Sequence, residues 1–236
     1  MWRRVAVTHQ STIDFRERSV WITLARGARN MLDAEMTAWL CDAVRSADEH
    51  ESSAIVITGA GTVFCGGADG AHLRETGTAK QFADAVVQLF ELLHSASTPV
   101  IAAINGDALA GGFGLACMAD IAVAADGARL GTIEASLGTW AMIAQAPALA
   151  RVPPKAAMTN LLTGVPFSAQ EALRFGIVDA VVDSEEVRGS VDRYLDLLEP
   201  GKSAARLGRP LMRRVVNPHL GRDLREGADA FVAMFG

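Results

Sequence analysis

Two short runs of β-branched and apolar residues constrain the fold of this chain more than any other feature of its sequence. Ala54–Thr58 (AIVIT) and Val100–Ile104 (VIAAI) show this character on both alternate sets of positions. That pattern is typical of strands buried on both faces of a parallel sheet. Parallel strands need a long crossover between them, usually a helix, and residues with helical spacing lie between these two runs. The sequence therefore predicts an α/β protein.

The alternation of strands and helices extends on either side of these runs and then gives way to helices. Further strands are predicted at Val20–Leu24, Ile121–Ala125 and Ile177–Val182. Helices are predicted from Asp33, as N-cap, to about His50, and at Lys80–His94, Gly111–Ala119, Lys155–Leu162, Ser168–Phe175, Ser184–Leu198, Ser203–Val216 and Gly221–Phe235. We therefore expect an α/β core over residues 1–183 and a helical C-terminal region over residues 184–236.

Composition excludes several classes of protein. Half of the 236 residues are apolar and 21% are charged, which is typical of a compact folded chain. The richest apolar stretch, residues 99–125, is interrupted by Asn105, Asp107 and Asp120, so no membrane span is expected. A formal net charge of −5 argues against a nucleic-acid scaffold. The N-terminus lacks a signal-like apolar run, and three cysteines without a CxxC pair fit a reducing compartment, so we expect a cytoplasmic protein.

Motifs for other common chemistries fail. A GxGxxG fingerprint starting at Gly59 would need glycine where Phe64 stands, and a phosphate loop ending at Lys202 would need glycine at Asp196. There is no GxSxG sequence, and the five histidines have no metal-ligand spacing. Dinucleotide, serine-hydrolase and zinc chemistry are therefore disfavoured.

Two glycine-rich segments, residues 64–69 and 105–114, follow the two buried strands. Ligands of parallel α/β sheets bind at the carboxyl ends of strands, where both segments should lie. Small residues let a ligand approach the backbone, and amides at such turns can point jointly at one anionic oxygen. The segments could form an oxyanion hole, or their glycines could simply pack helices tightly against the sheet.

Taken together, these features resemble the crotonase family, also called the enoyl-CoA hydratase/isomerase superfamily. The resemblance runs from about Val20 to Val182. Its pieces are the loop Arg26–Asn30, the stretch Ile55–Gly61 leading to Phe64–Asp69, Asn105-Gly106 leading to Gly111-Gly112, Ala119–Ile121, Gly131–Gly138 around Glu134, Leu162–Gly164, Ser168–Ala172, Gly176 and Val178. Their order and spacing are specific to the family.

The resemblance implies a spiral of ββα units, a C-terminal helical trimerisation region, and homotrimers or hexamers. It also implies a bound acyl-CoA whose thioester oxygen accepts hydrogen bonds from the amides of Ala68 and Gly111. No metal is implied, and no cofactor besides the coenzyme A of the substrate. By the same matching, the residues expected to bind the substrate or its CoA are Arg26, Arg29, Gly66, Gly67, Asp69, Leu73, Gly112 and Trp140. Arg26 or Arg29 could meet a phosphate, while Asp69 and Asp120 are also expected to have capping and structural roles.

The sequence departs from the hydratases of the family at one of their two glutamates. Glu134 matches the second, but the first falls on Gly114, and no carboxylate occurs in residues 135–145. One carboxylate suffices to move a proton between two carbons. The sequence therefore favours a double-bond isomerase, with a low-efficiency hydratase, a malonyl-type thioester decarboxylase and a non-catalytic acyl-CoA binder as alternatives.

The surroundings of Glu134 and the C-terminus give two further expectations. An apolar pocket beside Trp140 and Met142 should raise the pKa of Glu134. Trp140 replaces a residue that is often proline in hydratases, so it either narrows the acyl pocket or belongs to the core. Residues 225–231 match the terminal EG-x-x-AF segment of the family with a shortened preceding region, or else the chain stops one helix early. Either case puts a CoA or trimer contact in doubt.

Overall fold

The computed structural model describes residues 9–235, which contain ten strands and ten α-helices. The strands are β1 Thr12–Phe15, β2 Ser19–Leu24, β3 Ala54–Gly59, β4 Val63–Cys65, β5 Val100–Ile104, β6 Asp107–Leu109, β7 Ile121–Ala125, β8 Arg129–Gly131, β9 Phe167–Ser168 and β10 Ala180–Val182. The helices are α1 Ala34–Glu49, α2 Gly70–Thr76, α3 Ala79–Ser95, α4 Gly111–Met118, α5 Gln145–Arg151, α6 Pro154–Thr163, α7 Ala169–Arg174, α8 Val187–Leu198, α9 Lys202–Val216 and α10 Leu220–Ala233. Short 3₁₀ turns lie at Glu134–Leu137, Ser184–Glu186 and Glu199–Gly201.

The strands form two sheets. The larger has the order β1-β2-β3-β5-β7-β10, and all its pairings are parallel except β1 with β2. The smaller has the order β4-β6-β8-β9. The chain alternates between them: β3 with β4, β5 with β6 and β7 with β8 each place one strand in the larger sheet and the next in the smaller, before a helical segment. The predicted spiral of ββα units is confirmed.

The central strands are buried on both faces, as their composition predicts. No residue of β5 is more than 1% exposed, and Ile55 and Val56 of β3 are completely buried. Phe64, Phe90 and Phe113 are the largest fully buried side chains of the same core. Apolar residues of α8 and α10 join this core as well, so the C-terminal helices pack directly against the α/β part.

Several helix ends follow the predicted capping chemistry. Asp33 accepts the Met36 N–H at 2.8 Å, and Ser168 with Glu171 forms a reciprocal capping box. The strand predicted at residues 177–182 is shorter, because the Ile177 N–H still bonds the Ala172 carbonyl oxygen beyond the end of α7. Strands β4, β6 and β8 are only three residues long, which is too short for periodicity to give a signal.

Helix α9 is held to the core by charged side chains. Arg209 and Arg213 are 4% and 8% exposed, and both form ion pairs with Asp120, at Nε–Oδ2 2.6 Å and Nη2–Oδ1 2.6 Å. Asp120 also accepts the Val100 N–H at 2.7 Å. The structural role expected for Asp120 is therefore observed.

The opposite face of α9 is apolar and exposed. Its side chains are Leu207, Leu211, Met212, Val215 and Val216, called here the α9 stripe. Leu207 is 79% exposed and Val215 is 82% exposed. The usual orientation of an amphipathic helix is thus largely reversed: Arg209 and Arg213 lie inside, and the outer side is mostly apolar, with Arg214 as an exposed charged residue. No helix among residues 9–235 is both long and apolar enough to cross a membrane.

Candidate active site

A cavity of about 710 Å³ opens where the two glycine-rich segments meet. Its walls come from the loop before α1, from the segments around Ala68 and Gly111, from α3, from residues 133–144 and from the end of α10. Apolar side chains of α3, of α10 and of the two residues after α10 line it: Phe82, Val86, Leu89, Phe90, Phe231, Met234 and Phe235. Such a cavity suits an apolar ligand held by a few polar groups.

The N–H group of Ala68 is oriented by a backbone bridge. Leu32 and Ala68 form an isolated parallel bridge, in which the Leu32 N–H donates to the Gly67 oxygen and the Asp69 N–H donates to the Leu32 oxygen, both at 2.8 Å. In this bridge Gly67 and Asp69, the neighbours of Ala68, make the hydrogen bonds to Leu32. The N–H group of Ala68 itself therefore points away from Leu32. The Ala68 N–H is thereby left for a ligand on the cavity side.

The N–H group of Gly111 is free for a different reason. Gly111 is the first residue of α4, and the first amides of a helix have no acceptor within it. A Cβ atom on Gly111 would lie 3.6 Å from Gly67 Cα and 3.8 Å from the Ala68 nitrogen. Among the turn and loop hydrogen bonds of residues 9–235, neither the Ala68 nor the Gly111 amide acts as a donor. The structure therefore brings two unused amides to one cavity.

Both amides follow a residue with positive φ. Gly67 has φ +88°, and a Cβ there would lie 2.5 Å from the Ala110 Cβ, so only glycine fits. Ala110 has φ +54° and ψ −125°, which is strained for a residue with a side chain. Such strain is often found at functional sites, and here it turns the chain just before the Gly111 amide.

Glu134 supplies the carboxylate of the cavity. It is the first residue of a 3₁₀ turn, is half-buried, and its Oε2 accepts the Ile133 N–H at 2.9 Å. Burial raises the pKa of the Glu134 carboxyl above its usual value, against the backbone hydrogen bonds that act to lower it. The expected rise in pKa is confirmed.

The position of the missing glutamate is filled by the cavity wall. Gly114 is buried in α4, and a Cβ there would lie 3.1 Å from Phe90 Cζ and 3.4 Å from Ala144 Cα. Phe90 and Ala144 both line the cavity, whereas Gly114 does not. Among the described residues that line the cavity, Glu134 is the only acidic one.

The residues expected to bind substrate divide into two groups. Arg29, Gly66 and Trp140 line the cavity, together with Ala68, Gly111 and Glu134. Leu73, Gly67 and Gly112 lie outside this lining. Leu73 is completely buried in the core, Gly67 supports the turn before Ala68, and Gly112 packs so closely that a Cβ would lie 2.2 Å from the Cys65 oxygen.

Arg26 and Asp69 also lie outside the cavity lining and form an ion pair. The Arg26 Nη1 lies 2.9 Å from Asp69 Oδ2, and its Nε lies 2.8 Å from Asp33 Oδ2. Asp69 is the N-cap of α2, as expected for its structural role. The guanidinium of Arg26 is engaged by two carboxylates, so it is less available for a phosphate than that of Arg29. Arg29 is exposed and at the cavity, and it remains the candidate for that contact.

Sequence reasoning missed the walls contributed by α3 and α10. The spacing of Phe82, Val86, Leu89 and Phe90 in α3 predicts only a core face. For Phe231 the EG-x-x-AF match was a usable signal, because the glycine of that match, Gly227, packs against Met142. A Cβ at Gly227 would lie 2.3 Å from the Met142 oxygen. Sequence reasoning also missed Arg74, a cation that lines the cavity and whose guanidinium lies 5.2 Å from the ring centre of Phe235.

Other reactive groups near the cavity do not form a second site. Burial raises the pKa of the Cys65 thiol to about 12, so it is not a nucleophile. His72 Nε2 lies 3.8 Å from Asp33 Oδ2, on the side of the Arg26 ion pairs. Within residues 9–235 no three His, Cys, Asp or Glu side chains are grouped to hold a metal ion.

Comparisons with known proteins identify the relatives of this chain. The family model for enoyl-CoA hydratase/isomerase matches residues 15–235. The crotonyl-CoA hydratase of Syntrophomonas wolfei is 33% identical over 88% of this chain and 82% of its own length, and the (E)-benzylidenesuccinyl-CoA hydratase of Thauera aromatica is 32% identical over 93% and 94%. The crystal structure of enoyl-CoA hydratase from Bacillus anthracis superposes with a TM-score of 0.81 at 26% identity, covering 95% of this chain and 91% of that one. The chain therefore belongs to the enoyl-CoA hydratase/isomerase family, within the crotonase superfamily.

Proposed function

We propose that this protein is an acyl-CoA enzyme that moves a carbon–carbon double bond by way of an enolate. The Glu134 carboxylate removes a proton from the carbon beside the thioester of a 3-enoyl-CoA. The Ala68 and Gly111 amides stabilise the negative charge that develops on the thioester oxygen. Glu134 then returns the proton to the far carbon of the former double bond, so that a 2-enoyl-CoA forms and the carboxylate is regenerated.

One observation carries the preference for isomerisation: the space beside Gly114 is occupied by Phe90 and Ala144. Hydration needs a water molecule held and activated at that point, and among the described residues only Glu134 offers a carboxylate to the cavity. Isomerisation needs one group that acts first as base and then as acid. The proposed reaction uses no metal and no cofactor beyond the CoA of its substrate.

A hydratase is the second candidate, and the names of the relatives favour it. The Syntrophomonas and Thauera proteins are both called hydratases, and they share about a third of their residues with this chain. A single glutamate could still activate a water molecule, but without its partner the rate should fall. Loss of one general acid–base group typically costs 10²- to 10⁴-fold.

Turnover of paired substrates tests the proposal. The purified protein is incubated with a 3-enoyl-CoA and, separately, with the 2-enoyl-CoA of the same chain length. The rise in absorbance from conjugation reports isomerisation, and its decay reports hydration. We expect isomerisation to be at least about 100-fold faster than hydration. Faster hydration, carbon dioxide release from malonyl-CoA, or tight binding of acyl-CoA without turnover would each replace the proposal with the corresponding alternative.

We further propose that the protein assembles as a homotrimer or a pair of trimers through the α9 stripe. Arg209 and Arg213 of α9 are used inside the protomer, and the outer face of the helix carries the five apolar side chains of the α9 stripe beside one exposed arginine, Arg214. A contiguous exposed apolar surface of this kind marks an association site. A second copy presents the same stripe, and cyclic symmetry would cover all copies at once.

Charged substitutions in the stripe are expected to release the protomer. Light scattering after size exclusion should give three or six times the 24.9 kDa chain mass for the wild type, and the single chain mass for Leu211→Asp combined with Val215→Asp. Leu197→Asp is the matched control, since Leu197 is 75% exposed but lies on α8 rather than on α9. A monomeric wild type, or a double variant that keeps the wild-type mass, would contradict the assignment.

A further inference from the structure

Arg26 joins two carboxylates close to the cavity without lining it. Its Nε lies 2.8 Å from Asp33 Oδ2, and its Nη1 lies 2.9 Å from Asp69 Oδ2 and donates to the Met31 oxygen at 3.3 Å. The Arg26 side chain is 16% exposed and that of Asp33 is 4% exposed. Charge-assisted hydrogen bonds shielded from water in this way are stronger and better oriented than exposed ion pairs.

Both carboxylates are helix N-caps. Asp33 Oδ1 accepts the Met36 N–H of α1 at 2.8 Å, and Asp69 Oδ1 accepts the His72 N–H of α2 at 3.2 Å. Although burial acts to raise it, the hydrogen bonds from Arg26 and the His72 amide hold the pKa of the Asp69 carboxyl below its usual value. One guanidinium therefore ties together the first turns of two helices that are otherwise separate in the chain.

The residues that precede these two caps are also paired, and one of them is Ala68. Leu32 and Ala68 form the backbone bridge with its two 2.8 Å hydrogen bonds, and Asp33 and Asp69 are the next residues of each strand of the bridge. The bridge fixes the distance between the two backbone segments at Leu32 and Ala68. Arg26 links the residues that follow them, Asp33 and Asp69. Both contacts therefore constrain the backbone on either side of the Ala68 N–H group.

We propose that Arg26 is a positioning residue that aims the Ala68 amide at the thioester oxygen of the substrate. It acts through Asp69 and Asp33 and touches neither the acyl group nor the CoA. This inference rests on the proposed function only in assigning the Ala68 amide to a thioester oxygen. A donor that is misaligned stabilises the enolate less, whereas it changes ground-state binding little, because binding comes mainly from the apolar walls and the CoA.

The proposal predicts a separation of kcat from KM. Arg26→Met is expected to lower kcat about 10- to 100-fold with KM unchanged within about twofold, since complete loss of one oxyanion donor costs about 10²- to 10³-fold. Arg26→Lys should recover part of kcat, because an ammonium can reach one of the two carboxylates but lacks the fork of donors. Arg29→Met, in the same loop, is expected to show the opposite pattern, a raised KM with kcat retained.

Asp69→Asn keeps the experiment interpretable if Arg26→Met folds poorly. Asparagine caps helices as well as aspartate does, so α2 should persist while the ion pair with Arg26 is lost. We expect kcat to fall in this variant too. Full kcat in both Asp69→Asn and Arg26→Lys, or a raised KM with normal kcat in Arg26→Met, would overturn the proposal.

The infrared carbonyl band of a bound saturated acyl-CoA, labelled with ¹³C at the thioester carbon, reads the geometry without turnover. In the wild type this band should lie below its frequency in water, because two amides polarise the carbonyl. In Arg26→Met and Asp69→Asn the shift should be smaller at equal occupancy, while Arg45→Met, which removes a surface ion pair of α1, should leave it unchanged. An unshifted band in the wild type would refute the oxyanion assignment itself, and equal shifts in all proteins would refute only the role of Arg26.

Discussion

Replacing Glu134 by glutamine is expected to lower kcat for double-bond transfer by about 10²- to 10⁴-fold, the usual contribution of a general acid–base group. Glutamine has the same shape and can still accept the Ile133 N–H through its oxygen, so the 3₁₀ turn should be preserved. The dissociation constant of a saturated acyl-CoA should therefore stay within about twofold of the wild type. Steady-state kinetics and calorimetric titration measure the two quantities.

The raised pKa of Glu134 gives this prediction a second signature. The base must be ionised to accept a proton, so wild-type kcat/KM should fall as pH falls through that raised pKa. For stability, the folded state binds the proton more tightly than the unfolded state. The contribution of the Glu134 proton to the free energy of unfolding is therefore fully present below the pKa of glutamate in the unfolded chain, about 4.3. It is lost as pH rises through the raised pKa of Glu134 in the folded protein.

Glu134→Gln should consequently have a higher Tm than the wild type at pH 7, and this difference should vanish near pH 4. Inactivity together with raised thermal stability separates a catalytic loss from unfolding. If the variant retained wild-type kcat, Glu134 would not be the proton carrier. A lower Tm at pH 7 would instead show that the ionised carboxylate stabilises the fold.

Replacing Asp120 by alanine is expected to destabilise the protein by about 3–5 kcal/mol, because two buried guanidinium groups would lose their counter-charge. Asp120 has a side chain only 13% exposed and binds Arg209, Arg213 and the Val100 amide at once. Arg209 would keep its hydrogen bond to the Leu93 oxygen and Arg213 its hydrogen bond to the Met118 oxygen. Neither arginine would keep a negative charge beside it. Denaturant unfolding of wild type and variant gives the difference.

The matched control for this prediction is Asp223→Ala. Asp223 also pairs with an arginine, at 2.8 Å from Arg222, but both side chains are more than 40% exposed. Exposed pairs contribute about 0–1 kcal/mol, so this variant should unfold close to the wild type. Equal effects of the two substitutions would show that burial of the Asp120 cluster does not determine its contribution.

Much of the fold could be predicted because the relevant signals are local. The apolar and β-branched residues 54–58 and 100–104 predict by themselves that β3 and β5 are strands buried on both faces. Asp33 and Ser168 predict helix starts through hydrogen bonds within three residues. The meeting of the segments that contain Ala68 and Gly111 was also predictable, since the carboxyl ends of adjacent parallel strands share one edge of a sheet.

The remainder of the site depends on contacts that no local pattern reports. Arg26 and Arg29 stand three residues apart in one loop, and only the folded chain shows that the first turns toward Asp33 and Asp69 and the second toward the cavity. Phe231 reaches the same cavity because Gly227 lets α10 approach the backbone of residue 142. Packing over such sequence distances is decided by shape rather than by periodicity.

The reversed orientation of α9 separates two tasks that most amphipathic helices combine. Arg209 and Arg213 attach the helix to the core through ion pairs with Asp120. The apolar side chains of the α9 stripe are therefore not needed for this attachment. Substitutions at the exposed residues Leu207, Leu211 and Val215 should therefore change the surface of α9 with little effect on the interior. If copies associate through this surface as proposed, the interface can change independently of the core, and a new quaternary structure need not reduce the stability of the subunit.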